Sequence, residues 1–498
     1  MSITGPIEEL TIADVHSAYR AGTFSAVDLV EAYLDRIETI DRSGAALNSI
    51  ITISNHARQD AARLDAELAQ TGEFVGPLHG VPIVVKDQIE TAGIPTSFGS
   101  AASGDYTPKT DATAIRKLKA AGAIVLAKTT MPDFATSWFS TSSRSGVTKN
   151  PFDLTRDPGG SSSGTAAAVS ANLALAGIGE DTGGSIRLPA SFCGLVGVRV
   201  TPGLISRTGM SALVTPQDTS GPMTRTVADA ALLLDTLVGF DIADPYTSAA
   251  VIGGIEGSYT DGLAEASLIG RRIGVLRQVF GDADDPDGQA ENRVLDSALA
   301  ALAADGAELI DVEIPDLDHY VAFTSQYLTR SLQDMNAFVA ARTDLPVTSI
   351  QELHAAKKYH AMLDLLEAIA TGPATPADDP DYLDRILAQS EFQRTVVAIM
   401  ASNRLDAIAF PDSRLPAPTT EDVLGGRWTC LTYPTNTVIA SQLLFPAVTV
   451  PIGLTAGGLP VGFELMSYPY DEASLLRLAS AVERTVRGRR APAVGGAA

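Results

Sequence analysis

The sequence predicts an α/β layered fold, and three observations carry that expectation. Short apolar runs at Val81–Val85, Ala123–Ala127 and Ile273–Leu276 read as buried strands set between helical stretches. Amphipathic helices are legible at the start of the chain, over Thr11–Arg20 and Ser25–Ile40. Hydrophobic residues make up 45% of the 498, enough to fill one large core.

Taken in order, the second of those helices is the best signalled. Ser25 and Asp28 have the spacing of a capping box, and Val30, Tyr33, Leu34 and Ile37 form an apolar stripe expected to pack on the core. Next, GPLHGVPIVVKD places Lys86 at the end of a buried strand. Trp138 and Phe139 fall in the loop that precedes the first of two glycine turns. Between those turns, Thr165–Ala176 is rich in Ala, Leu and Val and lacks Gly and Pro, so it reads as a buried helix giving way to a strand near Ala176–Gly179. Residues 241–265 read as a loop, Thr371–Asp381 as a Pro-rich surface break, and the tail RGRRAPAVGGAA as disordered.

Composition excludes several classes. A net charge of −23, from 59 acidic and 36 basic residues, opposes nucleic-acid and anionic-membrane binding. Two cysteines, Cys193 and Cys430, argue against a disulfide framework. The opening MSITGPIEEL lacks a basic segment followed by an apolar core, and no uninterrupted apolar run has membrane length. The expectation is a cytoplasmic protein, with a homodimer as an admissible assembly. No HExxH or CxxC pair suggests a metal, and Thr165 stands where a phosphate-binding loop would need lysine, so no cofactor is expected.

The chemistry is concentrated in GGSSSGTAAAVSANLALAGIGEDTGGSIRLPASFCG, Gly159–Gly194. It holds two Gly-Gly-Ser turns, with Ser161 and Ser185 exposed beside backbone amides, the arrangement that suits a nucleophile with an oxyanion hole. A helix out and a strand back would return the second turn to the first. None of the six histidines lies in either turn; His79 is the best placed and reads as structural. Lys86 is the other candidate base. A buried amine loses its proton more readily, and a drop of about three pKa units corresponds to roughly 4 kcal/mol of differential solvation. Asp87 need not pair with Lys86, because adjacent strand residues face opposite ways.

Together, VKD at 85–87, GGSSSG at 159–164 and DTGGSIRLPASFCG at 181–194 resemble the amidase signature family of Ser-cisSer-Lys hydrolases. Gly76–Ser100, Ala127–Ala135, Asn150–Asp153, Asp218–Asp235 and Phe445–Met466 extend the likeness in order over roughly 10–240 and 400–485. The resemblance implies a mixed central β-sheet flanked by α-helices on both faces. It also implies Ser185 as nucleophile, Ser161 as bridging serine and Lys86 as base, with the backbone N–H groups of Thr182, Gly183, Gly184 and Ser185 as the oxyanion hole. Two departures stand out: Ser163 replaces a glycine, and VRVTPGLIS at 198–206 replaces a Leu-Lys-Pro-Thr form.

On that basis the chain divides into an N-terminal helical segment (1–70), a signature core with the catalytic residues (71–240), a variable substrate-shaping region (241–400), a C-terminal part of the core (401–485) and a tail (486–498). Within the variable region, Tyr320, Phe323, Tyr327, Tyr359 and Met362 are candidates to cover the site, with ordinary helix packing as the plainer reading. Trp138 and Phe139 are expected to touch substrate. Ser162 is expected to cap the following helix or hold the turn, Asp181 and Arg187 to pair, and Cys193 to be a buried small side chain. The expected function is hydrolysis of a linear carboxylic amide, an aryl or peptide amide among them, with esters and carbamates as further substrates. The rivals are the amidase subunit of a tRNA-dependent amidotransferase and a noncatalytic binding module that keeps the fold.

Overall fold

A computed structural model describes residues 7–255 and 258–494. Among them, eleven strands form one mixed sheet: β1 Ile50–Ile53, β2 Pro82–Lys86, β3 Ile124–Thr129, β4 Ala176–Asp181, β5 Val196–Arg199, β6 Thr219–Thr224, β7 Arg272–Val275, β8 Glu308–Asp311, β9 Ala407–Pro411, β10 Ala447–Leu454 and β11 Pro460–Met466. Their order is β1-β3-β2-β4-β6-β5-β10-β11-β9-β7-β8. Strands β2, β3 and β4 run parallel at one side, β7, β8 and β9 at the other, and antiparallel pairs join the two sets. The parallel strands are buried along their whole length in β2, β3 and β4, as sheets covered on both faces require.

The predicted elements are present with shifted ends. Helix Ile12–Ala21 is capped by Thr11, and helix Ala26–Arg36 carries the Ser25–Asp28 capping box before a π-turn over Ile37–Arg42. The helix expected over Thr165–Ala176 is shorter, Ser163–Ser170. Asn172 ends it in a left-handed conformation (φ 56°), with its side-chain oxygen accepting from the amide of Glu9 at 2.8 Å. Ser163 lies inside that right-handed helix, so the glycine it replaces is not needed for backbone freedom.

Two loop expectations need correction. Residues 241–265 contain short helical turns at Pro245–Thr247 and Ser248–Ile252, while 256–257 lie outside the described residues. The tail is docked as far as it is described: Arg489 pairs with Glu9 at 2.8 Å and donates to the carbonyls of Ser170 and Gly194, and Val494 packs on the main core. Residues 495–498 lie outside the described set. No described helix is long and apolar enough to cross a membrane.

The stretch 241–400 contributes in two ways. Its strands β7 and β8 extend the central sheet, whereas helix Tyr327–Ala340 belongs to a second apolar cluster with Phe98, Trp138, Phe139 and Tyr433. Tyr320, on its helix, stacks on Phe392, and Tyr359, in the bend after helix Ile350–Ala355, stacks on His354, but Tyr327 reaches the glycine turns.

Candidate active site

Parallel neighbours β2 and β4 end at the same edge of the sheet, with Val85 level with Ile178. That register brings Lys86, at the end of β2, beside Glu180, near the end of β4. The carboxyl ends of parallel strands are where α/β sheets open their ligand crevices. Helix Ser163–Ser170 follows the first glycine turn and packs back on both strands, so Ser161 falls over Lys86.

Lys86 is fully buried, and its Nζ has three neighbours: Ser161 Oγ at 2.8 Å, the Glu180 carbonyl at 3.2 Å and Glu180 Oε2 at 3.3 Å. Burial pushes the lysine below its ordinary range, against the opposing pull of Glu180. The Gly160–Ser161 peptide is cis. The two glycine turns meet through the backbone, because the amide of Ser162 donates to the carbonyl of Ser185 at 3.1 Å. Thus Lys86 touches Ser161, and the turn that carries Ser161 is bonded to the turn that carries Ser185. Ser162 holds the turn rather than capping the helix: its Oγ exchanges 3.3 Å contacts with the backbone of Glu180 and makes no cap bond.

The Ser185 turn is held by a buried ionic clamp. Asp181 Oδ1 accepts from the amide of Gly184 at 2.9 Å, Oδ2 from that of Ile186 at 3.1 Å, and Arg187 and Arg199 contact the same carboxylate at 3.2 and 2.9 Å. Burial alone would raise Asp181, but the two guanidiniums and the amide donors win and hold it well below the usual carboxylate range. Arg187 also pairs with buried Glu464 on β11, so the Asp181–Arg187 pairing expected from sequence is present and Arg187 has no exposed face for a substrate.

This geometry corrects the oxyanion-hole expectation at one position. The Gly184 N–H is already spent on Asp181, whereas the amides of Gly183 and Ser185 have no partner among the described residues. Gly184 instead supplies a φ of +133°, and a Cβ there would collide with Thr437, whose hydroxyl donates to the Gly183 carbonyl at 2.9 Å. At Gly183 a Cβ would strike the Tyr327 hydroxyl and the Trp138 ring.

Trp138 therefore stands against the turn, edge-on to Tyr327 at 6.1 Å. Phe139 is directed elsewhere: its ring packs on Tyr433 at 5.3 Å and its backbone presses on Gly160, so it supports the first turn. His79 stacks on Phe74 away from these turns, and Cys193 is fully buried with its thiol raised by burial. Asp87 pairs with buried Lys128 at 3.7 Å, not with Lys86. Among the described residues no cluster of His, Cys, Asp or Glu is arranged to hold a metal ion.

Sequence reasoning missed Glu180, Asp218, Arg199 and Glu464. Glu180 had a signal, since an acid shortly before a Gly-Gly turn sits at a strand end level with the lysine. Arg199 stands in the 198–206 departure, which thereby serves the clamp. Glu464 had none, being 277 residues from its partner.

A lysine hydrogen-bonded to one serine, with a second serine on an apposed amide-rich turn, is the arrangement expected of a Ser-Ser-Lys hydrolase. A family model described as Amidase matches residues 28–476, and the chain belongs to this amidase signature family, whose members are C–N hydrolases acting on amides. The native peptide amidase of Stenotrophomonas maltophilia superposes with a TM-score of 0.86 at 33% identity, covering 98% of this chain and 99% of that one. A glutamyl-tRNA(Gln) amidotransferase subunit of Geobacter sp. (strain M21) is 33% identical over 493 residues, 96% of this chain and 97% of the relative. The structure of the corresponding Thermotoga maritima amidotransferase subunit has a TM-score of 0.77 at 26% identity over the whole of both chains.

Proposed function

We propose that the protein is a free-standing amidase that hydrolyses linear carboxylic amides of peptide type through an acyl-enzyme on Ser185. The observation that carries this reading is the 2.8 Å contact of a fully buried Lys86 Nζ with Ser161 Oγ, on a turn bonded to the Ser185 turn. Ser185 Oγ attacks the carbonyl carbon, and its proton passes through Ser161 to Lys86. The tetrahedral oxyanion is met by the amides of Gly183 and Ser185, with that of Thr182 alongside; the loss of one such donor costs about 3 kcal/mol in a comparable site. The lysine then returns its proton through Ser161 to the leaving nitrogen, the C–N bond breaks, and water hydrolyses the ester. Trp138 and Tyr327, beside Gly183, form the wall for the acyl group.

The greater likeness to the peptide amidase, TM-score 0.86 against 0.77, favours this reading over the amidotransferase role. That role is kept as the second reading because amidotransferase subunits match along nearly the whole chain, 31–33% identical. The test is to purify the chain alone, assay peptide amides, simple amides, esters and carbamates, and label with a fluorophosphonate. Turnover of peptide amides by the lone chain, with label on Ser185 and none in Ser185→Ala, is expected. Activity only with added partner proteins would select the amidotransferase role, and an unlabelled, inactive chain would select the noncatalytic one.

A further inference from the structure

Among the described residues Glu180 is the one acid in contact with Lys86, and its hydrogen bonds specify where its proton sits. Its side chain is 1% exposed. Oε1 lies 3.0 Å from Thr182 Oγ1, and the same hydroxyl lies 2.6 Å from Asp218 Oδ1. A threonine hydroxyl has a single proton to give. Two ionised carboxylates on one hydroxyl would leave a buried oxygen facing a lone pair, which is costly. Asp218 has the better claim to the charge. It accepts the shorter bond, and the amides of Leu213 and Val214 donate to it at 2.9 and 3.0 Å. Glu180 Oε1 must then carry a proton and donate to Thr182.

Lys86 closes the account. A neutral amine has two N–H donors and one lone pair. Its donors go to the Glu180 carbonyl and Oε2, and its lone pair accepts from Ser161 Oγ, the closest of the three at 2.8 Å. We infer that Glu180 is a positioning residue, held as a neutral acid by the Thr182–Asp218 chain, which keeps Lys86 uncharged with its lone pair on Ser161. This rests on the triad reading above. When Lys86 receives the proton, Oε2 is already placed to accept from the ammonium.

The surroundings are consistent. The titratable and charged groups whose fields reach Glu180 are Lys86 on β2, Arg199 on β5, Asp218 in the segment before β6, Tyr327 on its helix and Asp181, which leaves β4 on the opposite face. Burial pushes Glu180 up to about 7 and Lys86 down, so both members of the pair move toward neutrality. Burial raises Asp218 too, but its three donors oppose the rise. An open cavity of about 300 Å³ is lined in part by Glu180, Asp218, Met210 and Phe338.

The experiment measures the rate of fluorophosphonate labelling of Ser185 against pH. Glu180→Ala is expected to slow labelling at least about 30-fold, the scale of a weakened general base. Glu180→Gln, whose amide donates to Thr182 and accepts from Lys86, is expected to restore most of the rate. The midpoint of its acid limb should stay within about 0.5 unit of the wild type. A Gln variant slowed more than about 100-fold, or shifted by more than about one unit, would overturn the inference by showing that the carboxylate is needed. Should Glu180→Gln not fold, Thr182→Val decides: loss of the acceptor should send the proton to Lys86 and move the limb to higher pH, and an unmoved limb overturns the inference. A folded wild type unlabelled at every pH overturns the triad reading and this inference with it, whereas the variant outcomes bear on Glu180 alone.

Discussion

Glu180 and Asp181 are consecutive residues at the end of β4, equally buried, yet one holds its proton and the other is firmly ionised. Alternation along a strand sends the two side chains to opposite faces. Asp181 meets Arg187 and Arg199, guanidiniums that do not give up their charge, and so it remains a carboxylate. Glu180 meets a lysine, which burial can neutralise. The type of cation, rather than burial, separates a structural clamp from a group that takes part in proton transfer.

The largest expected effect tests the Lys86 side. Lys86→Met removes the base while keeping most of the volume, and turnover should fall about 10³-fold, within the range for lost general-base catalysis. Stability should change little, since the neutral Glu180 left behind still bonds Thr182. Steady-state rates and a urea unfolding midpoint measure the two. A large stability loss with modest loss of turnover would invert the comparison.

Arg187→Met tests the clamp. It strands Glu464 without its cation and leaves Asp181 with only Arg199, and breaking a buried pair costs about 3–5 kcal/mol. The unfolding midpoint in denaturant should drop accordingly, further than in Lys86→Met. An unchanged midpoint would mean that the clamp does not hold the turn.

Much of this was legible because it is local. The buried run Val81–Val85, the capping box at Ser25 and the two glycine turns each declare themselves within a few residues, and the motifs named the lysine and the serine that the fold brings to 2.8 Å, Lys86 and Ser161. What escaped depends on register and on distant chain. The Gly-Gly-Ser pattern marks Gly184 as an oxyanion donor, and nothing in it shows that Asp181 takes that N–H. Arg489 reads as part of a free tail because nothing nearby in sequence announces Glu9 or the Gly194 carbonyl. Tyr327 could not be told from Tyr320 and Tyr359 on spacing alone, since only its helix passes over Gly183.

The smallest expected effect is the pH dependence of stability, where the two acids have opposite signs. Asp181 is lowered, so its contribution is present above its unfolded value of 3.8 and is lost as pH falls below it. Glu180 is raised from 4.5 to about 7, so its contribution is full below 4.5 and is lost as pH rises toward 7. A glutamine at 180 does not titrate. Glu180→Gln should therefore gain on the wild type as pH rises through that window, with a ceiling on the order of 3 kcal/mol at about 1.4 kcal/mol per unit. Lys86 takes up a proton on unfolding in both proteins, so its contribution cancels from the gap. Urea midpoints of both proteins at pH 4.5, 5.5 and 7 measure the gap. A gap that stays flat or closes would mean that Glu180 is ionised across the window, and its difference from Asp181 would vanish.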